Sequence, residues 1–193
     1  MRIRNIGALA VLSVLTVVAA ARAQAETVLL PIHAGYIADQ SPFDGLGDGI
    51  DETGLTVAGL TSGLGDFRAV VEYDLTGVRH HRRISGATLE VIARTSAYLD
   101  PTTTIPIQLF SFTGEGALNL ADFNQGCFVG VFEGFALGGT IVRIDVSDSV
   151  RKALRRNDAY LGFTMRTNVH GAQVVFGGPT LGYQPALIVT FED

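Results

Sequence analysis

Two glycine-rich segments carry the side chains best suited to hold a metal ion. The first, DGLGDGIDETG at residues 44–54, has four acids, Asp44, Asp48, Asp51 and Glu52. Its glycines allow tight turns that point backbone carbonyls inward, and calcium prefers carboxylate and carbonyl oxygens. The spacing is not that of an EF-hand, so a solvated turn is the alternative. These four acids are our candidate metal ligands. Calcium is the only candidate ion, and otherwise we expect no cofactor.

The second segment, GEGALNLADFNQG at residues 114–126, resembles a calcium loop only in part. In a 12-residue EF-hand alignment Glu115 and Asp122 take ligand positions, but the first and third positions fall on Ser111 and Thr113. These two hydroxyl residues belong to a strand-like run, which cannot also curl round an ion. We therefore predict a turn and a short helix, in which Asn119 and Asp122 bond to the local backbone.

Candidate catalytic residues are sparse. His80 and His81 are adjacent, so on a strand they face opposite ways and cannot chelate as a local pair. His33 stands alone, and the chain has neither a G-x-S-x-G nor an H-E-x-x-H motif. Tyr160 and Arg166 share one face of a predicted strand, and a polysaccharide lyase needs a base beside arginines. A lyase is thus one alternative, but we predict a protein that is not an enzyme.

A sugar-binding surface needs aromatic rings that are open to the solvent. The chain has no Trp. Four other aromatic residues lie in or beside predicted loops, where they can stack on a sugar ring: Tyr36, Phe43, Tyr98 and Tyr183. Packing at the rim of the fold is the alternative for each. They are our candidate ligand-binding residues for a polysaccharide or a cell-surface glycan.

The N-terminal residues predict export from the cytoplasm. Arg2 and Arg4 precede an apolar run at residues 6–21, and two A-x-A cleavage sites follow at 21–23 and 23–25. This is the pattern of a secretory signal peptide, and the apolar run is short for a membrane anchor. We predict a signal peptide at 1–25 and one domain at 26–193, without a transmembrane segment, that is secreted to the extracellular space or the periplasm.

Charge and cysteine content limit the partners. The chain has 14 basic and 19 acidic residues, and Lys152 is its only lysine. An acidic chain of this kind is poorly suited to the phosphate backbone, so we do not expect nucleic acid as a partner. Cys127 is the only cysteine and cannot form an internal disulfide. Because Phe128 and Val129 follow it, we predict a buried, unreactive thiol.

The elements that position these residues are mostly strands. Eight β-rich runs, separated by glycine-rich connections, lie at residues 26–32, 67–75, 87–95, 104–112, 140–146, 160–167, 172–178 and 185–191. One helical pattern at residues 148–156 has Ser147 as the predicted N-cap, with Arg155 and Arg156 in its last turn. This order predicts an all-β fold, an antiparallel jelly-roll-like β-sandwich with one short helix.

Four blocks in this order are similar to a known family. RAVVEYDL at 68–75, ISGATLEV at 84–91, IDVSDSVRKAL at 144–154 and VVFGG to YQPALIVTF at 174–191 resemble the secreted DNRLRE-domain family. The resemblance implies a jelly roll like those of carbohydrate-binding modules. Residues 114–126 also resemble a subgroup related to some PEP-CTERM proteins, although the chain ends at Asp193 without a hydrophobic sorting tail.

The resulting functional hypothesis is a secreted, non-catalytic module that binds polysaccharide or associates with an extracellular matrix. One alternative is a structural extracellular scaffold protein that does not bind glycans. The other is the polysaccharide lyase mentioned above.

Overall fold

The structure is a computed structural model that describes residues 25–40, 44–53, 56–61, 65–78, 83–95, 104–135, 140–177 and 181–192. Residues 1–24 of the predicted signal peptide lie outside the described residues. So do two of the candidate ligand-binding residues, Phe43 and Tyr98, and the adjacent histidines His80 and His81.

The described residues form twelve strands, and every strand pairing is antiparallel. The strands are β1 (Glu26–Leu29), β2 (His33–Asp39), β3 (Gly49–Asp51), β4 (Val57–Thr61), β5 (Gly65–Asp74), β6 (Ile84–Thr95), β7 (Thr104–Thr113), β8 (Cys127–Phe135), β9 (Thr140–Asp145), β10 (Tyr160–Arg166), β11 (Ala172–Val175) and β12 (Ala186–Phe191). The predicted all-β antiparallel sandwich is confirmed.

The strands build two sheets that enclose the core. One sheet has the order β1-β12-β6-β9, and the other has the order β3-β2-β5-β10-β7-β8. Strand β4 pairs with the first residues of β5 and with β11, and β11 also pairs with the end of β6, so these two strands join the sheets. We call the side of the six-stranded sheet that faces away from the core its outer face.

Alternation along the strands puts apolar side chains into the core. In β7, Ile105, Ile107 and Leu109 are buried, as their spacing predicts. Tyr73 of β5 is buried with them and meets Phe163 of β10 edge to face, with 6.2 Å between the ring centroids. The four-stranded sheet contributes side chains of β6 and β12 to the same cluster.

The single α-helix of the described residues, α1 (Ser147–Arg156), packs at one end of the sandwich. Its position agrees with the prediction, but its N-cap does not, because the N-cap is Val146 rather than Ser147. The Ser147 hydroxyl accepts the backbone N–H of Ala87 at 2.9 Å and so ties the helix to β6. The side chain of Val146 cannot cap the helix, and the Asp145 carboxylate instead accepts the N–H of Ser147 at 2.9 Å.

Residues 114–126 fold over the outer face, and we call them the covering segment. Within it a 3₁₀ helix, Leu120–Asn124, starts with a capping box: Asn119 accepts the N–H of Ala121 at 2.8 Å, and Asp122 accepts the N–H of Asn119 at 2.9 Å. The predicted turn and short helix are confirmed. The 3₁₀ helix holds Phe123 against the sheet, in a second apolar cluster made of Ile37, Val70, Phe112, Leu118 and Phe123.

The prediction that Cys127 is buried is wrong. Its side chain is exposed at the start of β8, which is the last strand of its sheet. The following Phe128, which suggested burial, is itself 60 % exposed on the outer face. Of the two apolar neighbours, Phe128 therefore lies on the open outer face, whereas Val129 packs against the core.

We expect Cys127 to react quickly with a maleimide under native conditions, at a rate close to that of the urea-unfolded chain. The reason is that the thiol is already open to the solvent in the folded protein. The measurement is the labelling rate followed by mass spectrometry, with the unfolded chain as the reference. A rate that rises by orders of magnitude on unfolding would contradict this expectation.

Candidate functional site

The structure places two of the four candidate aromatic residues, Tyr36 and Tyr183, and each lies against different residues. The Tyr36 hydroxyl donates a hydrogen bond to Asp51 at 3.2 Å, and its ring meets Phe67 edge to face at 5.5 Å. Tyr183 instead lies beside Gly177, which has a positive φ of 113° and leaves room for the tyrosine ring. Neither ring belongs to the cavities described below.

The four candidate metal ligands have separate partners. Asp44 accepts the N–H of Leu46 at 2.9 Å, Asp48 accepts the N–H of Gln40 at 2.7 Å, Asp51 accepts from Thr53 and Tyr36, and Glu52 pairs with His33 at 2.8 Å. Within the described residues, no group of three or more His, Cys, Asp or Glu side chains is placed to hold a metal ion. Calcium binding by this segment stays a prediction.

A cavity of about 160 Å³ lies on the outer face, where the covering segment meets β5, β7 and β10. The sheet supplies its floor and the end of the covering segment supplies its wall. The lining residues are cationic, amide, hydroxyl or aromatic side chains together with one glycine: Arg68, Phe110, Phe123, Asn124, Gln125, Gly126, Thr164 and Arg166. None of these eight residues was a candidate ligand-binding residue in the sequence.

Arg166 is the cation that this cavity offers to a ligand. It stands at the end of β10, with its guanidinium 4.2 Å from the centroid of the Phe110 ring and its Nε donating to Gln108 at 3.0 Å. No described carboxylate forms an ion pair with it. Burial lowers the pKa of Arg166, and the nearby charge of Arg68 lowers it further, while the negative charge of Asp66 partly opposes both. A half-buried guanidinium that is held in place and forms no ion pair is suited to bind an anion.

Arg68 has a different role, because its charge is already neutralised. It donates to Asp66 at 2.9 and 3.1 Å, to the carbonyl of Phe123, and to the side chain of Asn124 at 2.8 Å. Its guanidinium also lies 3.7 Å from the centroid of the Phe123 ring. Arg68 therefore fastens the covering segment to β5 and positions Asn124 at the cavity.

Thr164 contributes a buried hydroxyl to the floor of the cavity. It lies opposite Val70 and Phe110 in the sheet and is only 2 % exposed. Its hydroxyl is buried and has no hydrogen-bond partner.

An exposed aromatic ring borders the cavity. Phe128 of β8 lies edge to face with Phe110, with 5.6 Å between the ring centroids. Val131, further along β8, is also largely exposed. The outer face thus presents an open apolar surface beside a cation and two amides, which is the combination that carbohydrate recognition uses.

The other end of the covering segment closes over buried acids. Glu72 of β5 is 0 % exposed, and its Oε1 accepts the N–H of Gly116 at 3.1 Å, while its Oε2 has no hydrogen-bond partner. Burial raises the pKa of Glu72 and also that of Asp122. His33 bonds to the carbonyl of Gly116 at 3.0 Å. This end of the segment is a structural anchor.

Tyr160 and Arg166 do not form the pair that a lyase would need. Both lie on the outer face of β10, but six residues of strand separate them by roughly 20 Å. The Tyr160 ring packs against Gly116 at the anchored end of the covering segment, whereas Arg166 lies at the cavity.

Comparison with known proteins adds no family assignment, because no protein-family model and no curated protein matches the chain. The similarity to the DNRLRE-domain family therefore stays a prediction. Among the described residues, no helix is both long and apolar enough to cross a bilayer.

Proposed function

We propose that this protein is a secreted, non-catalytic module, extracellular or periplasmic, that binds an acidic polysaccharide on the outer face of its six-stranded sheet. The observation that carries the proposal is Arg166, a half-buried guanidinium that has no carboxylate partner among the described residues. In a chain with 19 acidic residues, a cation that forms no ion pair favours an acidic ligand.

Other side chains in and beside the cavity suit the hydroxyl groups and the apolar side of a sugar ring. Gln125 offers an amide donor and acceptor for hydroxyl groups, and it lies beside Asn124, whose amide already bonds to Arg68 and to the carbonyl of Gly45. Phe128 offers a ring face for the apolar side of a sugar ring. The cavity opens onto the exposed strand β8, so a polymer can lie along the surface without threading through the protein.

The test is titration calorimetry of the mature protein with polygalacturonate, and with neutral dextran as the reference polymer. We expect saturable binding of the acidic polymer only. The Arg166→Ala variant should lose about ten- to a hundredfold in affinity, because a hydrogen bond to a charged group contributes roughly 1.5–3 kcal/mol. Arg166→Lys should recover only part of it, because an ammonium group cannot reproduce the guanidinium fork.

The matched control is Arg143→Ala, which removes the same charge from the four-stranded sheet and breaks only an exposed pair with Glu90. It should bind like the wild type. A protein that binds neither this polymer nor any on an array of acidic and neutral polysaccharides would instead favour the structural scaffold. The appearance of unsaturated, ultraviolet-absorbing sugar ends would favour a lyase.

A further inference from the structure

A second cavity, of about 320 Å³, lies directly beside the first. The two cavities share Gln125 and Gly126, so they adjoin at these two residues of the covering segment. The second cavity is bordered by the start of β8, including Cys127, and by one side of α1. The surface therefore continues from Arg166 across Gln125 and Gly126 to α1.

The second cavity is also cationic. Lys152 and Arg156 of α1 line it, four residues apart and so on the same side of the helix. Arg156 is neutralised by Asp158 and donates to the hydroxyl of Thr113 at 2.8 Å. Lys152 is exposed and forms no ion pair with any described residue. It is thus the available cation of this cavity, as Arg166 is of the first.

Acidic side chains are missing from both cavities. No Asp or Glu occurs among the described residues that line either of them. The chain as a whole has a formal net charge of −5 and a single lysine, and that lysine lies here. Each of the two adjoining cavities has one cation that forms no ion pair and no acid among its described lining residues, so together they form a local track that suits a polyanion.

We propose that the second cavity is a further subsite for the same acidic polysaccharide, which crosses Gln125 and Gly126 and places a second carboxylate at Lys152. This inference rests on the proposed function. Hydroxyl groups of the sugar have partners there in Ser111 and Ser149, whose hydroxyls lie 3.0 Å apart in the same cavity. The polymer must then be long enough to reach both cations.

Cys127 gives a direct readout, because its exposed thiol lines the second cavity and not the first. The experiment compares maleimide labelling of the mature protein with and without a saturating galacturonate disaccharide or octasaccharide. We expect the octasaccharide to slow labelling strongly and the disaccharide, held at Arg166, to leave it unchanged. Lys152→Ala should weaken octasaccharide binding by about fivefold and disaccharide binding not at all.

The matched control is Arg155→Ala, which removes one charge from the same helix without touching the cavity. It should leave both affinities unchanged. Suppose that binding depends on Arg166, but Cys127 is not protected and Lys152→Ala binds like the wild type. That result would overturn this inference and leave the proposed function intact. Protection of Cys127 by the disaccharide would also overturn this inference, since a short ligand would then bind in the second cavity by itself. Absence of any binding would remove both proposals.

Discussion

Replacing Phe123 by alanine is expected to lower the free energy of unfolding by about 3–5 kcal/mol, the range for large aromatic side chains in a core. Phe123 is 1 % exposed although it sits outside the main core, on the outer face of the six-stranded sheet. It packs there with Val70 and Phe112, and the guanidinium of Arg68 covers its ring. The variant would lose apolar burial and leave Arg68 over a void.

The measurement is urea unfolding of wild type, Phe123→Ala and Leu120→Ala. Leu120 belongs to the same 3₁₀ helix but is 44 % exposed, so its truncation should cost far less. Phe123→Ala should also weaken polysaccharide binding, because Phe123 lines the cavity and its neighbour Asn124 lies on the same wall. Equal unfolding free energies for the two variants would show that the covering segment is not packed on the sheet.

Local sequence signals were sufficient for most of the elements. The eight predicted strands all occur, because each combines β-branched residues with an alternation of core and solvent sides. The capping box of Asn119 and Asp122 was also predictable, since its hydrogen bonds span at most three residues. Four strands were missed, β2, β3, β4 and β8, because they are short or interrupted by glycine and so lack a clear period.

The candidate site could not be predicted in the same way, because it depends on contacts between distant parts of the chain. The hydrogen bond from Arg68 to Asn124 spans 56 residues, and that from Arg166 to Gln108 spans 58. The sequence signal that could have indicated this site is the pattern around Arg68. Arg68 shares the non-core side of β5 with Val70 and Glu72, and an apolar residue between two charged ones on that side indicates that another part of the chain covers it.

The second large expected effect is on the pH dependence of stability, because the covering segment buries the acid Glu72. Glu72 is enclosed by the covering segment so closely that a side chain at Gly114 would overlap its carboxylate. Gly116, with a φ of 82°, turns its N–H toward the same carboxylate. Burial raises the pKa of Glu72, against the opposing hydrogen bonds from the backbone of Gly116 and Glu115 and the charge of His33, and the charge of Asp122 raises it further.

A raised pKa means that the folded state favours the protonated acid. The stability that this contributes is fully present below the unfolded pKa, about 4.3 for Glu, and is lost as the pH rises through the folded pKa. Each unit by which the pKa is raised corresponds to about 1.4 kcal/mol. Asp122, with its pKa also raised by burial, acts in the same direction. We therefore expect the wild type to lose stability as the pH rises from about 4 toward neutrality.

The variant that tests this is Glu72→Gln, which keeps an oxygen for the N–H of Gly116 but cannot ionise. Its free energy of unfolding should fall less steeply than that of the wild type across this pH range. Asp74→Asn is the matched control on the same strand and face. Hydrogen bonds from Thr76 lower the pKa of Asp74, so the stability that Asp74 contributes is instead lost as the pH falls. Replacing Asp74 should therefore leave unchanged the loss of stability that the wild type shows as the pH rises toward neutrality. If Glu72→Gln and the wild type gave parallel curves, Glu72 would have to be solvated, and the covering segment could not be closed over it as the hydrogen bond to Gly116 requires.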